Sequence, residues 1–476
     1  MEYILHLLGG GAGNLAAYLA AHVLLCLLPA FFIAGAMAAL IPKSSITRWL
    51  GRTTPAHISY PAAAAAGSLL AVCSCTIVPL FAGIYRKGAG IGPAITFLFF
   101  APAGNIMALA YTGSILGPEF AAARLLLCLL FGIGIGLLMA LMFRQDDVNH
   151  DAKTDALFAQ QASMGSVATA LLLSMVALLI AGTLKLWPLT ATLSTVEVPM
   201  GWALEWQDKL FSWVPYDTAK GEEGVTFQGS VLIVLLVMIA TTAWKGLEDI
   251  IEGANRWTVV TLGLASATLL VAALRMTPTA TGLEVGITGR FFAVALCLWL
   301  VKTYAMKLDI DERQAWLWES WRFVKQIFGL LVVGVFIVGI VRQIIRPEWI
   351  ETLAGTNSIT ANIVAVFFGV FMYFPTLVEV PVAKMFLDLG MHRGPLLAYL
   401  MADPELSLQS VLMVIAVIGR TKTFAYVGWV ALFSVISGLI YGAWVDGVSQ
   451  WSLAMGLGAA TIGFGLLLRK LSQTSR

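Results

Sequence analysis

Charge is what this 476-residue sequence has least of: Asp, Glu, Lys and Arg make up 12% of it, where an ordinary soluble domain carries about 25%. Hydrophobic residues supply 59% and the mean hydropathy is +0.86, so water is not the solvent of most of the chain. No Lys or Arg precedes Lys43, so the basic start of a cleaved signal peptide is missing and the first apolar segment is expected to be retained. The Gly-rich run 9–13 lacks the Lys of a phosphate-binding loop, and ATP-driven pumping by this chain alone is not expected. Only the stretches 144–165 and 188–228 are long and polar, and neither is large enough to bury a core of its own. The five cysteines lie mostly inside apolar segments, which speaks against a disulfide framework. A net charge of +2 gives no support for nucleic-acid binding.

What the sequence has in quantity is apolar runs, recurring from 15–41 to 451–468. Each is near the roughly 20 residues that cross about 30 Å of hydrocarbon as a helix. The expectation is one integral membrane domain over 1–476. Its fold class is all-α and polytopic, with about eleven transmembrane helices plus two re-entrant or broken helical hairpins.

Comparing the chain with itself gives the strongest signal. VPLFAGIYRKGAGIGPAITFLFFAP (78–102) and VPVAKMFLDLGMHRGPLLAYLMADP (380–404) align without a gap, at an offset of 381 minus 79, or 302. They share Val78 with Val380, Pro79 with Pro381, Gly88 with Gly390, Gly92 with Gly394, Pro93 with Pro395 and Pro102 with Pro404. Upstream, FIAG at 32–35 resembles FIVG at 336–339, and Gly67 aligns with Gly369. This predicts a first repeat at 15–112, intervening spans and loops at 120–307, a second repeat at 324–416 and C-terminal spans at 424–468. Because Pro removes a helix hydrogen bond and Gly permits unusual backbone shapes, each repeat should hold a broken helix.

Short cytoplasmic loops collect Lys and Arg. Lys43, Arg48 and Arg52 therefore place their loop inside, as do Arg420 with Lys422 and the tail with Arg469, Lys470 and Arg476. Arg346, balanced by Glu348 and Glu351, reads as outer, as does the acidic stretch 197–223. These assignments agree if 58–86 and 361–388 are hairpins that enter and leave on one side, which makes the repeats inverted. If each spans once, the repeats are parallel.

Broken helices are tolerated at membrane depth where protein or a wet cavity satisfies their backbone, so they mark a candidate pathway. In the first, Cys73, Ser74, Cys75 and Thr76 bring two thiols and two hydroxyls ahead of Pro79. In an extended segment Cys73 and Cys75 would point the same way, and as soft ligands they could hold a thiophilic ion such as arsenic(III) or Cu(I). The competing reading is that small residues let helices pack closely. In the second, YFPTLVEVP (373–381) contributes Thr376 and sets Glu379 opposite Ile77. A carboxylate at lipid depth is costly and points to proton coupling, or else to a structural ion pair for which Lys384 is the nearby cation. Asn105 and Ser407 align beyond Pro102 and Pro404 as substrate-binding candidates, and Asp403 and Glu405 either line a cavity or occupy a wet turn.

The CSCTIVPL segment, the GP pair and FAPAGN, with FPTLVEVPVAKMFLDLG and GPLLAYLMADPELS in the second half, resemble the bacterial predicted-permease family that includes the ArsP organoarsenical exporters. The resemblance implies a multi-pass inner-membrane permease exporting trivalent arsenicals, with Cys73, Cys75, Pro79, Pro102 and Asn105 as site residues in one half. Glu379, Pro381, Pro404 and Ser407 are their counterparts in the other. The expected partners are a small-molecule or metalloid substrate and the lipid bilayer, with no cofactor; a homo-oligomer is left open. Another small anion, a metal ion or a channel are the alternatives. An enzyme is not expected, since Ser74 has no identifiable base nearby in sequence.

Overall fold

The computed structural model describes residues 2–21, 23–69, 74–158, 165–184, 187–214, 224–342, 348–371, 376–449 and 452. The all-α polytopic expectation holds: eight helices among the described residues are long and apolar enough to cross a bilayer, or up to ten with two bent pairs. The expected last span, beyond 452, lies outside the described residues.

A first set of eight helices comprises α1 (Glu2–Ala21), α2 (Leu28–Leu40), α3 (Lys43–Leu50), α4 (Ala56–Leu69), α5 (Ser74–Arg86), α6 (Ile91–Ala103), α7 (Ile106–Ile115) and α8 (Pro118–Met142). Between the sets run α9 (Arg144–Phe158), α10 (Ser166–Thr183), α11 (Trp187–Thr190), β1 (Thr192–Val198), α12 (Trp202–Trp213), α13 (Phe227–Leu247), α14 (Arg256–Ala273), β2 (Arg275–Pro278), β3 (Leu283–Thr288) and α15 (Gly289–Lys307). A second set follows: α16 (Ile310–Phe323), α17 (Gly329–Arg342), α18 (Glu348–Ala354), α19 (Ile359–Phe371), α20 (Thr376–Asp388), α21 (Arg393–Leu406), α22 (Leu408–Ile418) and α23 (Arg420–Val445).

The two sets correspond helix by helix. The starts of α5 and α20, α6 and α21, α7 and α22, and α8 and α23 are each 302 positions apart, 376 minus 74 for the first pair. A π-helical turn precedes both α2 and α17. Gly88 and Gly390, between α5 and α6 and between α20 and α21, both have φ of +92°, a conformation that costs other residues strain. A Cβ on Gly92 would lie 2.8 Å from the Gly136 carbonyl oxygen, and one on Gly394 would lie 2.8 Å from that of Gly438. Small residues therefore let α6 close on α8, and α21 on α23, as membrane helices do when backbone contact replaces side-chain bulk.

The sets also pack reciprocally: α1 on α17 and α16 on α2, α5 on α22 and α20 on α7, α6 on α21, and α8 on α23. The last pair runs antiparallel. Phe120 meets Tyr441 at 5.0 Å between ring centres, Phe131 meets Phe433 at 4.8 Å, and Asp146, just past α8, binds Lys422 in the first turn of α23 at 3.3 Å.

Ion pairs define one end of the bundle, the charged face: Arg52 with Asp151 at 3.9 Å, Arg86 with Glu319 at 3.3 Å, and Lys325 with Glu248 at 2.7 Å. At the far face His392 binds Asp446 at 3.0 Å. A small antiparallel sheet, ordered β1-β3-β2, lies at the ends of α13, α14 and α15 remote from Glu248. Among the described residues it is the one sheet in an otherwise helical chain, and its β-branched Thr and Val residues suit strands.

The two hairpins follow from these anchors. Gly51 bridges Ala89, Tyr60 lies against Gly92 and Gly67 lies against Ala101, so α4 enters from the charged face beside α6 and α5 returns to it. From the far face, α19 enters beside α21, its Gly369 against Asp403, and α20 returns. α4 and α19 have 14 and 13 residues, about 20 Å at roughly 1.5 Å per residue, too short to cross. Both hairpin tips, 70–73 and 372–375, lie outside the described residues.

Candidate functional site

The half-helices α5 and α20 have 13 residues each, so their first turns lie about 18 Å in from opposite faces, near mid-depth. Helix N-termini carry unpaired N–H groups and partial positive charge. Ser74 and Cys75 open α5 and Thr376 opens α20. Nothing is described of these three side chains, and Cys73 lies outside the described residues. Thr76 is fully buried. Among the described residues no three His, Cys, Asp or Glu side chains group as a metal site, and the expected Cys73 and Cys75 ligand pair is not covered by that statement.

The expected same-side pointing of Cys73 and Cys75 falls outside what is described of these residues. One expectation is corrected: Pro79 and Pro381 do not break a helix, since α5 and α20 run through them. Each is the sixth residue of its helix, so its missing N–H forfeits one early bond while the following turns close normally. Pro102 and Pro404 lie in the last turns of α6 and α21; α6 and α7 are separated by a short joint within one span, 91–115, whereas the chain bends by 46° between α21 and α22.

The joints are tied internally. Asn105 accepts from the Ala108 N–H at 2.7 Å and donates to the Ala101 and Pro102 carbonyls at 2.9 and 3.1 Å, so both its amide hydrogens are used. At the equivalent joint Ser407 donates to Ser410 at 2.7 Å. Both joint residues are buried.

Between these joints lies a charge cluster. Glu379, in the first turn of α20, is fully buried and binds Arg124 of α8, also fully buried, at 2.9 Å. Arg124 uses the rest of its fork on the Ala103 carbonyl at 3.1 Å, the Thr112 hydroxyl at 3.1 Å and the Leu400 carbonyl at 3.4 Å. One side chain thus joins α6, α7 and α8 to α20 and α21. Lys384, the cation expected for Glu379, instead binds Asp388 near the exposed end of α20. Five positions on, it leaves the helix on a different side from Glu379, and its long stem carries the ammonium outward.

The position 302 beyond Arg124 is Tyr426 on α23. Its hydroxyl donates to Oε2 of Glu405, in the last turn of α21. Glu405 is 3% exposed and Asp403 0%, which removes the wet-turn reading of both. Cys128, one turn past Arg124, points its thiol at the Ala103 carbonyl and the Met401 sulfur, 3.6 and 3.3 Å away.

The sequence reading found Glu379 but not Arg124, Tyr426 or Cys128. A signal existed for two of them, since Arg124 is a lone base in a long apolar run and the repeat offset leads from it to Tyr426.

The family model of ArsP_1, described as a predicted permease, matches residues 10–443. UPF0718 protein MJ0584 of Methanocaldococcus jannaschii is 34% identical over 442 residues, covering 93% of this chain and 98% of that protein. No solved structure matches.

Proposed function

Because the chain belongs to the ArsP_1 family of predicted permeases, and so is a multi-pass membrane transporter, we propose that it exports a thiophilic small solute, trivalent arsenic or an organoarsenical, by proton-coupled alternating access across the inner membrane. The observation that carries this reading is the ion pair of Arg124 and Glu379, two charges sealed at lipid depth where two half-helices end. Such residues are retained in membranes mainly for transport or coupling. In this account the pair is a gate: it closes the route toward the far face and opens as the halves rock, with the α5 start and its thiol residues contacting the solute. The repeats are inverted, a reading supported by α8 and α23, equivalent helices of spanning length that pack antiparallel. The charged face, rich in Arg and Lys, is then cytoplasmic.

A sulfur anion is the second reading, favoured by the positive N-terminal ends of α5 and α20 near mid-depth. Everted vesicles energised with a proton gradient separate the two when offered trivalent arsenicals, thiophilic metals and sulfur anions in parallel. The proposal expects arsenical accumulation that falls in Cys73→Ser and Cys75→Ser. Accumulation of sulfur anions alone, or indifference to both substitutions, contradicts it.

A further inference from the structure

We propose that Glu405, not Glu379, carries the transported proton, held on its carboxyl beside the Tyr426 hydroxyl. This rests on the carrier reading above and identifies the coupling group within it. The two halves share a symmetry that is broken in one place. Arg124 and Tyr426 are equivalent positions, 302 apart, and each reaches the end of the preceding equivalent helix: Arg124 the carbonyl of Ala103, Tyr426 the carboxyl of Glu405, which is itself 302 beyond Ala103. One half therefore puts a fixed cation beside a carboxylate brought by the other half, while the second half puts a neutral phenol beside its own carboxyl.

Glu405 has Tyr426 on Oε2 and no hydrogen-bond partner on Oε1. The elements packed against α21 supply nothing to balance a negative charge on it. α6, α19 and α22 carry no charged or titratable residue, and the only cation of the cluster, Arg124 of α8, is spent on Glu379 of α20. The other cations on these elements are engaged or exposed away from Glu405: Lys422 of α23 binds Asp146, Arg420 is exposed at the start of that helix, Lys384 of α20 binds Asp388, and Arg393, at the opposite end of α21, interacts with Tyr441. Cys128 of α8 and Tyr399 and Asp403 on α21 itself add no positive charge. Glu379 and Glu405 are within electrostatic reach of each other, so a second ionised carboxylate would also oppose the first. A carboxylate buried with one phenol donor and no cation is far costlier than its neutral acid. Protonation removes that cost, and the phenol then accepts or donates equally well. Loss of the proton leaves a charge that only water or a moved cation can accommodate, so release requires the bundle to open. That is the linkage a coupled carrier needs: the proton enters from one aqueous face, is held through the closed state and leaves to the other, with no other bond made or broken.

The test needs no substrate. Infrared spectra of the full-length protein in liposomes at neutral pH should contain the C=O band of a buried protonated carboxyl that disappears in Glu405→Gln and returns, displaced, in Glu405→Asp. Tyr426→Phe removes a single oxygen and should displace the band by removing its hydrogen bond, which keeps the test open if Glu405→Gln fails to fold. A spectrum with carboxylate bands only, as a bound sodium ion at Glu405 would give, overturns the proposal, as does a protonated band indifferent to Glu405→Gln or Tyr426→Phe. The vesicle panel decides the solute independently, so failure there leaves this spectrum unaffected and the reverse also holds.

Discussion

Arg124 and Glu379 together make a pair that neither makes alone. Removing one partner of a buried ion pair leaves the other charge unbalanced and typically costs about 3–5 kcal/mol, whereas replacing both by apolar groups is often neutral. Arg124→Ala should therefore unfold in detergent at a markedly lower temperature. Arg124→Met combined with Glu379→Met should recover the melting temperature while transport stays lost; recovery of transport with the stability would show that the pair is scaffolding only. Lys87 offers a second residue-scale check, outside the membrane spans in the turn after α5. Burial pushes its ammonium down to about 8 from the ordinary 10.5, with Glu319 opposing the shift. Below pH 8 it is charged both folded and unfolded, and the folded protein carries the full burial cost. Between about 8 and 10.5 the folded protein gives up the proton first, so stability rises with pH. Thermal scans should show this rise in the wild type and not in Lys87→Met. Glu379 was legible in the sequence because a carboxylate among Val and Leu stands out, and its partner was not, because Arg124 lies 255 positions away.

Helices were the most legible elements, since long apolar runs admit little else in lipid. Their joints were read less well. Of the shared prolines, Pro404 precedes a 46° bend between α21 and α22, whereas Pro79 and Pro381 sit inside helices that begin five residues before them. The shared glycines were read as backbone freedom, which holds at Gly88 and Gly390, whereas Gly92 and Gly394 serve contact: each lets its helix touch the backbone of the next span. Gly92→Leu should push α6 off α8 and lower both expression and melting temperature, with Gly394→Leu doing the same to α21 and α23. Substitution of Gly134, on the open side of α8, should change neither. Helix α9 is tethered by Asp147, which accepts from the Ile91 N–H at 3.0 Å, and by His150, whose ring bonds the Tyr85 carbonyl. Asp147→Ala removes a cap at the start of α6 and should cost about 1 kcal/mol by thermal unfolding.

For the whole molecule, the repeat offset was legible in a 25-residue match, and its reach was not. The helices correspond from α1 and α16 onward, in segments whose residues have diverged while their lengths and order have not. The charge reading also grouped distant loops correctly, for Arg52 and Lys422, both taken as cytoplasmic, lie on one face through Asp151 and Asp146. What charge patterning could not supply is the meeting of the halves, where α20 reaches α7 and α5 reaches α22. The proposed carrier depends on two oppositely directed units closing on one buried cluster. Single cysteines at Asp151 and Asp446, in protein otherwise free of cysteine, report that directly through a membrane-impermeant thiol reagent. The account predicts labelling at 446 in intact cells and at 151 only in everted vesicles; labelling of both from the same side would contradict it.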